Sequence, residues 1–288
     1  MRQHGGVAEA LNAFSPVTRE WFQGAFANPT RAQREAWPAI SAGEHTLVVA
    51  PTGSGKTLAA FLHALDRLAA EGPPAAPQTR CRVLYVSPLK ALAVDVERNL
   101  RSPLAGIRQV ARRRGEPPPD IRVGIRTGDT PAEQRRSFAR TPPDVLVTTP
   151  ESLFLLLTSA AREALRGVET VILDEVHALA GSKRGAHLAL SLERLDELLA
   201  KPAQRIGLSA TVRPVEEVQT FLAGGRAVRV VQPPHPKEVE IKVEVPVPDL
   251  AELGTTTGEV TGPASGPEQR TSIWPSVQQR ILELIRQH

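Results

Sequence analysis

The 288-residue chain is 41% hydrophobic with a formal charge of +4, enough apolar material for one large or two small domains with a sizeable core. It has no run of about 18 uncharged apolar residues, and the opening MRQHGGVAEALNAF lacks the basic-then-apolar layout of a signal peptide. The expectation is therefore a soluble, cytoplasmic protein, nucleoid-associated in a bacterium. A single cysteine, Cys81, excludes an internal disulfide and a multi-thiolate metal site, and its setting in CRVLYVSP reads as a strand residue bound for the core.

The charge is uneven. Between Arg98 and Arg140 eleven arginines face four acids (Glu116, Asp120, Asp129, Glu133), which leaves the rest of the chain net negative by three. Such a region suits a polyanion such as nucleic acid, and equally an arginine-rich surface that is merely solvated.

In chain order, short apolar runs rich in β-branched residues recur at HTLVVA (45–50), RVLYVSP (82–88), VGIRTG (123–128), DVLVTTP (144–150), TVILDEV (170–176) and RIGLSAT (205–211). Most alternate with longer helical patterns, so the expected fold class is α/β, a mostly parallel sheet with helices on both faces. Each run passes into a polar or glycine-containing segment at its carboxyl end, the edge where open α/β sheets bind ligands. Between the runs, Leu58, Phe61, Leu62, Leu65 and Leu68 form one helical stripe, and Leu188, Leu192, Leu195 and Leu199 another. Both are core faces. EGPPAAPQT and RRRGEPPPD read as proline-rich loops.

From Gln232 onward the character changes. An alternating strand is predicted over Val239–Val245, followed by a Gly/Thr/Pro-rich connection, and SIWPSVQQRILELIRQH then starts a new amphipathic helix that stops without a C-cap. The expected organisation is a first domain over 1–231, a connecting segment over 232–272, and the start of a truncated second domain over 273–288.

The segment APTGSGKT (50–57) fits [AG]-x-x-x-x-G-K-[ST], between an apolar strand and an amphipathic helix. Gly53 and Gly55 let backbone N–H groups converge on phosphates together with those of Thr52 and Ser54. Lys56 reaches the β- and γ-phosphates, and the Thr57 hydroxyl ligates Mg²⁺. TVILDEVH supplies the second element such a loop needs: Asp174 to hold Mg²⁺, and Glu175 to orient and deprotonate an attacking water. The expected cofactors are ATP and Mg²⁺.

The order APTGSGKT, SPLKALAVD, TPESL, DEVH, SAT resembles motifs I, Ia, Ib, II and III of the superfamily 2 helicases, and FANPTRAQREAW resembles their Q motif. SPLKALAVDVERNLRSPL, RTGDTPAEQRR, TTPESLFLLLTS and DEVHALAGSKRGAHLALSLERL are similar to the Large helicase-related (Lhr) proteins, over about Phe14 to Val230. The resemblance implies a RecA-like P-loop NTPase domain and an ATP-dependent DNA helicase moving 3′ to 5′ on single strands, with a role in DNA repair. It implies that Gln33 reads the adenine, and that Ser87, Pro88, Lys90, Thr149, Pro150, Glu151 and Ser152 touch the nucleic-acid backbone, joined by Arg126, Thr127 and Gly128. Ser209, Ala210 and Thr211 would couple phosphate state to strand movement, and His177 would link the nucleotide site to the partner lobe. Backbone contacts of this kind carry little sequence preference. Lys183 and Arg184 in GSKRG stand between a solvated loop and a loop that contacts DNA or a neighbouring domain.

Nothing in the chain resembles the arginine-rich motif VI of the family's second RecA-like domain, so turnover by this chain alone is expected to be very slow and unwinding absent. The expected partners are single-stranded or tailed DNA and that second domain, with no membrane partner. Two other readings stay open: a superfamily 2 lobe acting on RNA or an RNA–DNA hybrid, and a nucleic-acid-binding fragment with a purely structural ATP site. A transporter-type P-loop ATPase predicts an LSGGQ-like signature, which is absent.

Overall fold

A computed structural model describes residues 10–210, 212–234, 241–247 and 272–287. Seven parallel strands form one sheet: β1 (His45–Val49), β2 (Val83–Val86), β3 (Val123–Arg126), β4 (Val145–Thr148), β5 (Thr170–Leu173), β6 (Gln204–Ser209) and β7 (Val228–Val231), in the order β3-β4-β2-β5-β6-β1-β7. The four-residue strands β2, β4 and β5 are buried along their whole length, which is why each reads as an unbroken apolar run and not as an alternating one.

Both faces carry helices. On one side α1 (Pro16–Ala25), α2 (Arg31–Ser41), α3 (Lys56–Glu71) and α4 (Lys90–Arg113) belong to the covering layer. On the other lie α5 (Ala132–Arg140), α6 (Pro150–Leu157), α7 (Val176–Ala180), α8 (Lys183–Leu198) and α9 (Val215–Ala223). Alternate strand residues serve the two layers: Val83 and Tyr85 pack under α3 and α4, whereas Leu84 and Val86 pack under α6 and α8. The predicted stripes are core faces, with Phe61, Leu62, Leu65, Leu188, Leu192 and Leu195 fully buried. A third cluster consists of helices alone, where Phe14, Trp21 and Phe22 meet Trp37 of α2 and Ile107 of α4.

Two readings of the sequence are amended. RRRGEPPPD is not wholly a loop, because α4 runs through Arg113. The edge strand β7 was not anticipated: it is short, interrupted by Arg229, and only Val231 in it is buried.

Contacts divide the chain into two units, Met1–His235 and Pro236–His288. In the second unit, residues 241–247 have no strand assignment, and Ile241 and Val243 are exposed. The strand predicted there lacks a neighbour to pair with among the described residues, and its first two positions lie outside them. Helix α10 (Trp274–Gln287) forms where the pattern predicts it, and Arg280 pairs with Glu244 at 2.7 Å. Among the described residues, no helix is long and apolar enough to cross a membrane.

Candidate nucleotide and nucleic-acid site

Because every strand is parallel, all the chemistry-bearing turns leave the same edge of the sheet. The strand order then divides them. The P-loop, DEVH and SAT segments follow β1, β5 and β6, and the SP, TP and RTG segments follow β2, β4 and β3. A nucleotide half thus abuts a second half at the β5–β2 seam.

The P-loop turns through left-handed backbone at Gly53 (φ +80°) and Gly55 (φ +77°) before α3 starts. Gly55 has a second reason to be glycine, since a Cβ there would lie 2.6 Å from Gln33 Nε2. The Gln33 amide is already engaged: its Oε1 accepts from Thr30 N–H (2.9 Å) in a capping box at the start of α2, and its Nε2 donates to the Gly55 carbonyl (3.2 Å). Gln33 therefore sets the position of the loop while lining a cavity of about 700 Å³. Trp21, Phe26 and Thr30 line the cavity as well, along with Gly53, Thr57 and Leu58, and α4 closes it through Asn99 and Pro103. Phe26, Trp21 and the α4 wall were missed in the sequence. The signal was the aromatic spacing of WFQGAF just ahead of the Q-like stretch.

Two features of the loop fit a polyphosphate. The Lys56 side chain is 7% exposed, and among the described residues it meets the Ala50 carbonyl at 3.4 Å and Glu175 Oε1 at 3.5 Å. Ser54 Oγ is buried without a hydrogen-bond partner among the described residues. A buried ammonium and an orphaned hydroxyl at a helix N-terminus are the donors a phosphate would satisfy. Thr52 stays exposed on the outer turn. For Mg²⁺ the available donors are hard oxygens, the Thr57 hydroxyl and the Asp174 carboxylate, as that ion prefers.

Asp174 is buried at the end of β5, and its carboxyl is pushed above the usual range chiefly by that burial, with Glu175 adding repulsion. Tyr85 of β2 opposes the shift by donating to Asp174 Oδ2 at 2.5 Å, and the Glu175 N–H donates to Oδ1 at 3.0 Å. Tyr85 itself stacks on Phe61 of α3 (5.0 Å). Glu175 sits in left-handed backbone (φ +45°), a strained placement for a non-glycine residue that turns its carboxylate toward Lys56. Its other oxygen lies 3.4 Å from His177 Nδ1, which also accepts from Ala210 N–H (3.3 Å) and lies 3.3 Å from Ser209 Oγ. One imidazole nitrogen thus faces both the DEVH carboxylate and the SAT segment. Thr211 lies outside the described residues.

On the other half, side chains and backbone part company. Ser87, Pro88, Thr149, Pro150 and Ser152 are buried. Ser87 Oγ donates to the Leu89 carbonyl (3.1 Å), and Thr149 Oγ1 to Ser152 Oγ (3.2 Å). The two prolines have no N–H, and the Ser87 N–H donates to the Thr148 carbonyl (2.9 Å), so what this row can offer a strand is backbone at the first turns of α4 and α6, whose leading N–H groups have no intrahelical partner. Lys90 and Glu151 are exposed but paired, Lys90 with Asp129 at 2.6 Å and Glu151 with Arg184 at 2.5 Å. Arg126 is turned onto the Phe138 ring (5.4 Å), and burial holds its guanidinium below the usual arginine range. Thr127 N–H is taken by Thr130 Oγ1 (2.9 Å), and the Gly128 carbonyl by Arg135 (2.7 Å).

A parallel sheet with a glycine loop, a buried aspartate beside a half-buried glutamate, and a bridging histidine along one edge is the lobe of a P-loop nucleoside-triphosphatase of the helicase type. The chain belongs to the DEAD/DEAH box helicase family, whose profile matches residues 30–219. It is 61% identical over 281 residues to the Lhr helicase/probable uracil glycosylase of Mycolicibacterium smegmatis, covering 98% of this chain and 18% of that protein. It is 56% identical to the Lhr helicase/uracil glycosylase of Escherichia coli, covering 96% of this chain and again 18% of the other. Among solved structures, Mycobacterium smegmatis helicase Lhr bound to ssDNA and AMP-PNP superposes with a TM-score of 0.82 at 60% identity, over 97% of this chain and 33% of that one. The chain therefore spans under a fifth of the length of these two relatives.

Proposed function

We propose that the chain is the first motor lobe of an ATP-dependent helicase that tracks 3′ to 5′ along single-stranded DNA, in the service of DNA repair. The observation that carries this reading is the convergence of Lys56, Asp174, Glu175 and His177 at one sheet edge, beside a second row of turns where Ser87, Thr149 and Ser152 are buried and Lys90 is exposed.

In this reading Gly53, Ser54 and Gly55 cradle the phosphates, and Lys56 leaves the Ala50 carbonyl and Glu175 to bind the terminal phosphates. Thr57 and Asp174 hold Mg²⁺, which neutralises charge on the phosphates when bound. Glu175, freed from Lys56, orients water and takes its proton. His177 senses that change through Glu175 and passes it to Ser209 and Ala210, because its Nδ1 faces all three and can accept from Ala210 N–H in one tautomer and donate to Glu175 in the other. The domain division of 1–231, 232–272 and 273–288 is part of the proposal, as is a second RecA-like lobe supplying the arginines that complete the site.

ATP turnover with and without single-stranded DNA tests this on three proteins: the chain, the chain extended through a second RecA-like domain, and the extended protein carrying Glu175→Gln. The reading requires strand-stimulated turnover only in the extended protein, lost on Glu175→Gln. Comparable turnover by the chain alone would refute the divided site.

A further inference from the structure

Arg184 is placed by an unusually tight corner. α7 ends at Ala180, Ser182 caps α8 by accepting the Gly185 N–H at 3.0 Å, and a Cβ on Gly185 would lie 2.0 Å from the Leu179 carbonyl oxygen. Only glycine permits that approach, and the corner leaves Arg184, the second residue of α8, facing the turns after β2 and β4. Its Nε and Nη2 bind Glu151 Oε1 and Oε2 at 2.5 and 3.1 Å, and Nη2 also donates to the Pro88 carbonyl at 3.0 Å. One planar fork thereby ties together three segments: the start of α8 just after DEVH, the first turn of α6, and the β2–α4 turn.

The pairing has two consequences. It consumes the Glu151 carboxylate, which would otherwise stand as a bare negative charge among groups meant to meet phosphates. It also fixes the spacing of the first turns of α4 and α6, where Ser87, Thr149 and Ser152 are buried and backbone makes up much of the surface, so their register along a strand depends on what holds them together.

We infer that Arg184 is a positioning residue of the strand-binding face: it clamps the β2–α4 turn to the first turn of α6 through Glu151 and Pro88, and does not itself bind phosphate. The inference rests on the strand-binding reading above. It also gives the DEVH segment a mechanical route to that face, since only α7 and its corner separate Glu175 from Arg184.

A direct phosphate contact and a clamp predict opposite signs for one substitution. Glu151→Gln removes a negative charge and frees Arg184, so a phosphate-binding Arg184 would hold the strand more tightly. A clamp would be broken and binding would weaken. The experiment is fluorescence anisotropy of a labelled single-stranded oligo(dT) on this chain, at low salt, with AMP-PNP affinity as the check on folding. Arg184→Gln and Glu151→Gln are each expected to weaken strand binding about tenfold, the scale of losing charge-assisted hydrogen bonds. The double variant is expected to be no weaker than either single one. Unchanged or tighter binding by Glu151→Gln overturns the inference, even if Arg184→Gln fails to fold. Lys90→Ala separates the two levels: if it weakens binding while Glu151→Gln does not, only the clamp is wrong. If the unaltered chain binds no strand, the strand-binding reading falls and the clamp with it.

Discussion

Lys56 and Glu175 illustrate what single side chains contribute here. The two lie 3.5 Å apart at the mouth of the P-loop, with the lysine almost wholly buried. Lys56→Ala is expected to cut AMP-PNP affinity about 10- to 100-fold, as for loss of one or two charge-assisted hydrogen bonds, measurable by calorimetry. Glu175→Gln should leave that affinity close to normal in the extended protein while lowering turnover by about 10²- to 10⁴-fold, the usual scale for a general base. Cys81 is a different case. It is fully buried, and burial pushes its thiol up to about 12, so the folded protein should resist aromatic disulfide reagents at neutral pH and react only on unfolding. Lys56, Asp174 and Glu175 were legible as candidates from residue type and order. That Tyr85 holds Asp174 was not, because the two lie 89 positions apart and meet only across the β2–β5 pairing.

At the scale of elements, close approaches matter more than propensities. The α7–α8 corner works because Gly185 lies against the Leu179 carbonyl, so Gly185→Ala must displace backbone. The expected loss is about 1–3 kcal/mol, as for overpacking, read from the midpoint of denaturant unfolding. Gly55→Ala combines a left-handed φ with a clash against Gln33 Nε2, and should disturb the P-loop enough to abolish nucleotide binding while the sheet stays folded. All six predicted strand runs formed, as β1 to β6, and the predicted helical patterns formed α3, α8 and α10; β1, β2, β4 and β5 have the most continuous apolar runs. β7 failed as a prediction because an edge strand needs only one covered face, and four residues with an arginine among them give little pattern to read.

For the whole molecule, the charge pattern yields two expectations. Strand affinity should fall with salt, with a log–log slope of about −0.7 for each phosphate neutralised on a single strand. Stability should fall on the acid side because two histidines are held below their ordinary range, His63 chiefly by burial and then Arg67, and His45 chiefly by burial and then Arg226. The unfolded chain takes up protons that the fold resists, so the contribution is intact above the ordinary histidine value of about 6.5 and declines as the pH drops below it. Protonating His45 on Nδ1 would also cost the bond it accepts from Arg205 N–H at 2.9 Å. Melting temperatures across that pH range, with His63→Gln flattening the decline, check the assignment.

The sequence by itself determined the parallel α/β layout, the P-loop, the acid pair and their order. Each of these is written in a contiguous stretch whose local chemistry, strand then glycine turn then helix, is complete in about ten residues. Tertiary structure decided everything that depends on residues far apart in the chain. It put the P-loop, DEVH and SAT turns on one half of the edge and the SP, TP and RTG turns on the other, and it buried the side chains of Ser87, Thr149 and Ser152. It also engaged the amide of Gln33, the residue expected to read the adenine, with Thr30 and the Gly55 carbonyl, and brought Arg184 onto Glu151 and Pro88 from 33 and 96 positions away. The physical reason is that a parallel sheet gathers the carboxyl ends of non-consecutive strands along one edge. Which turns become neighbours is set by strand order and helix packing, and no local pattern encodes either.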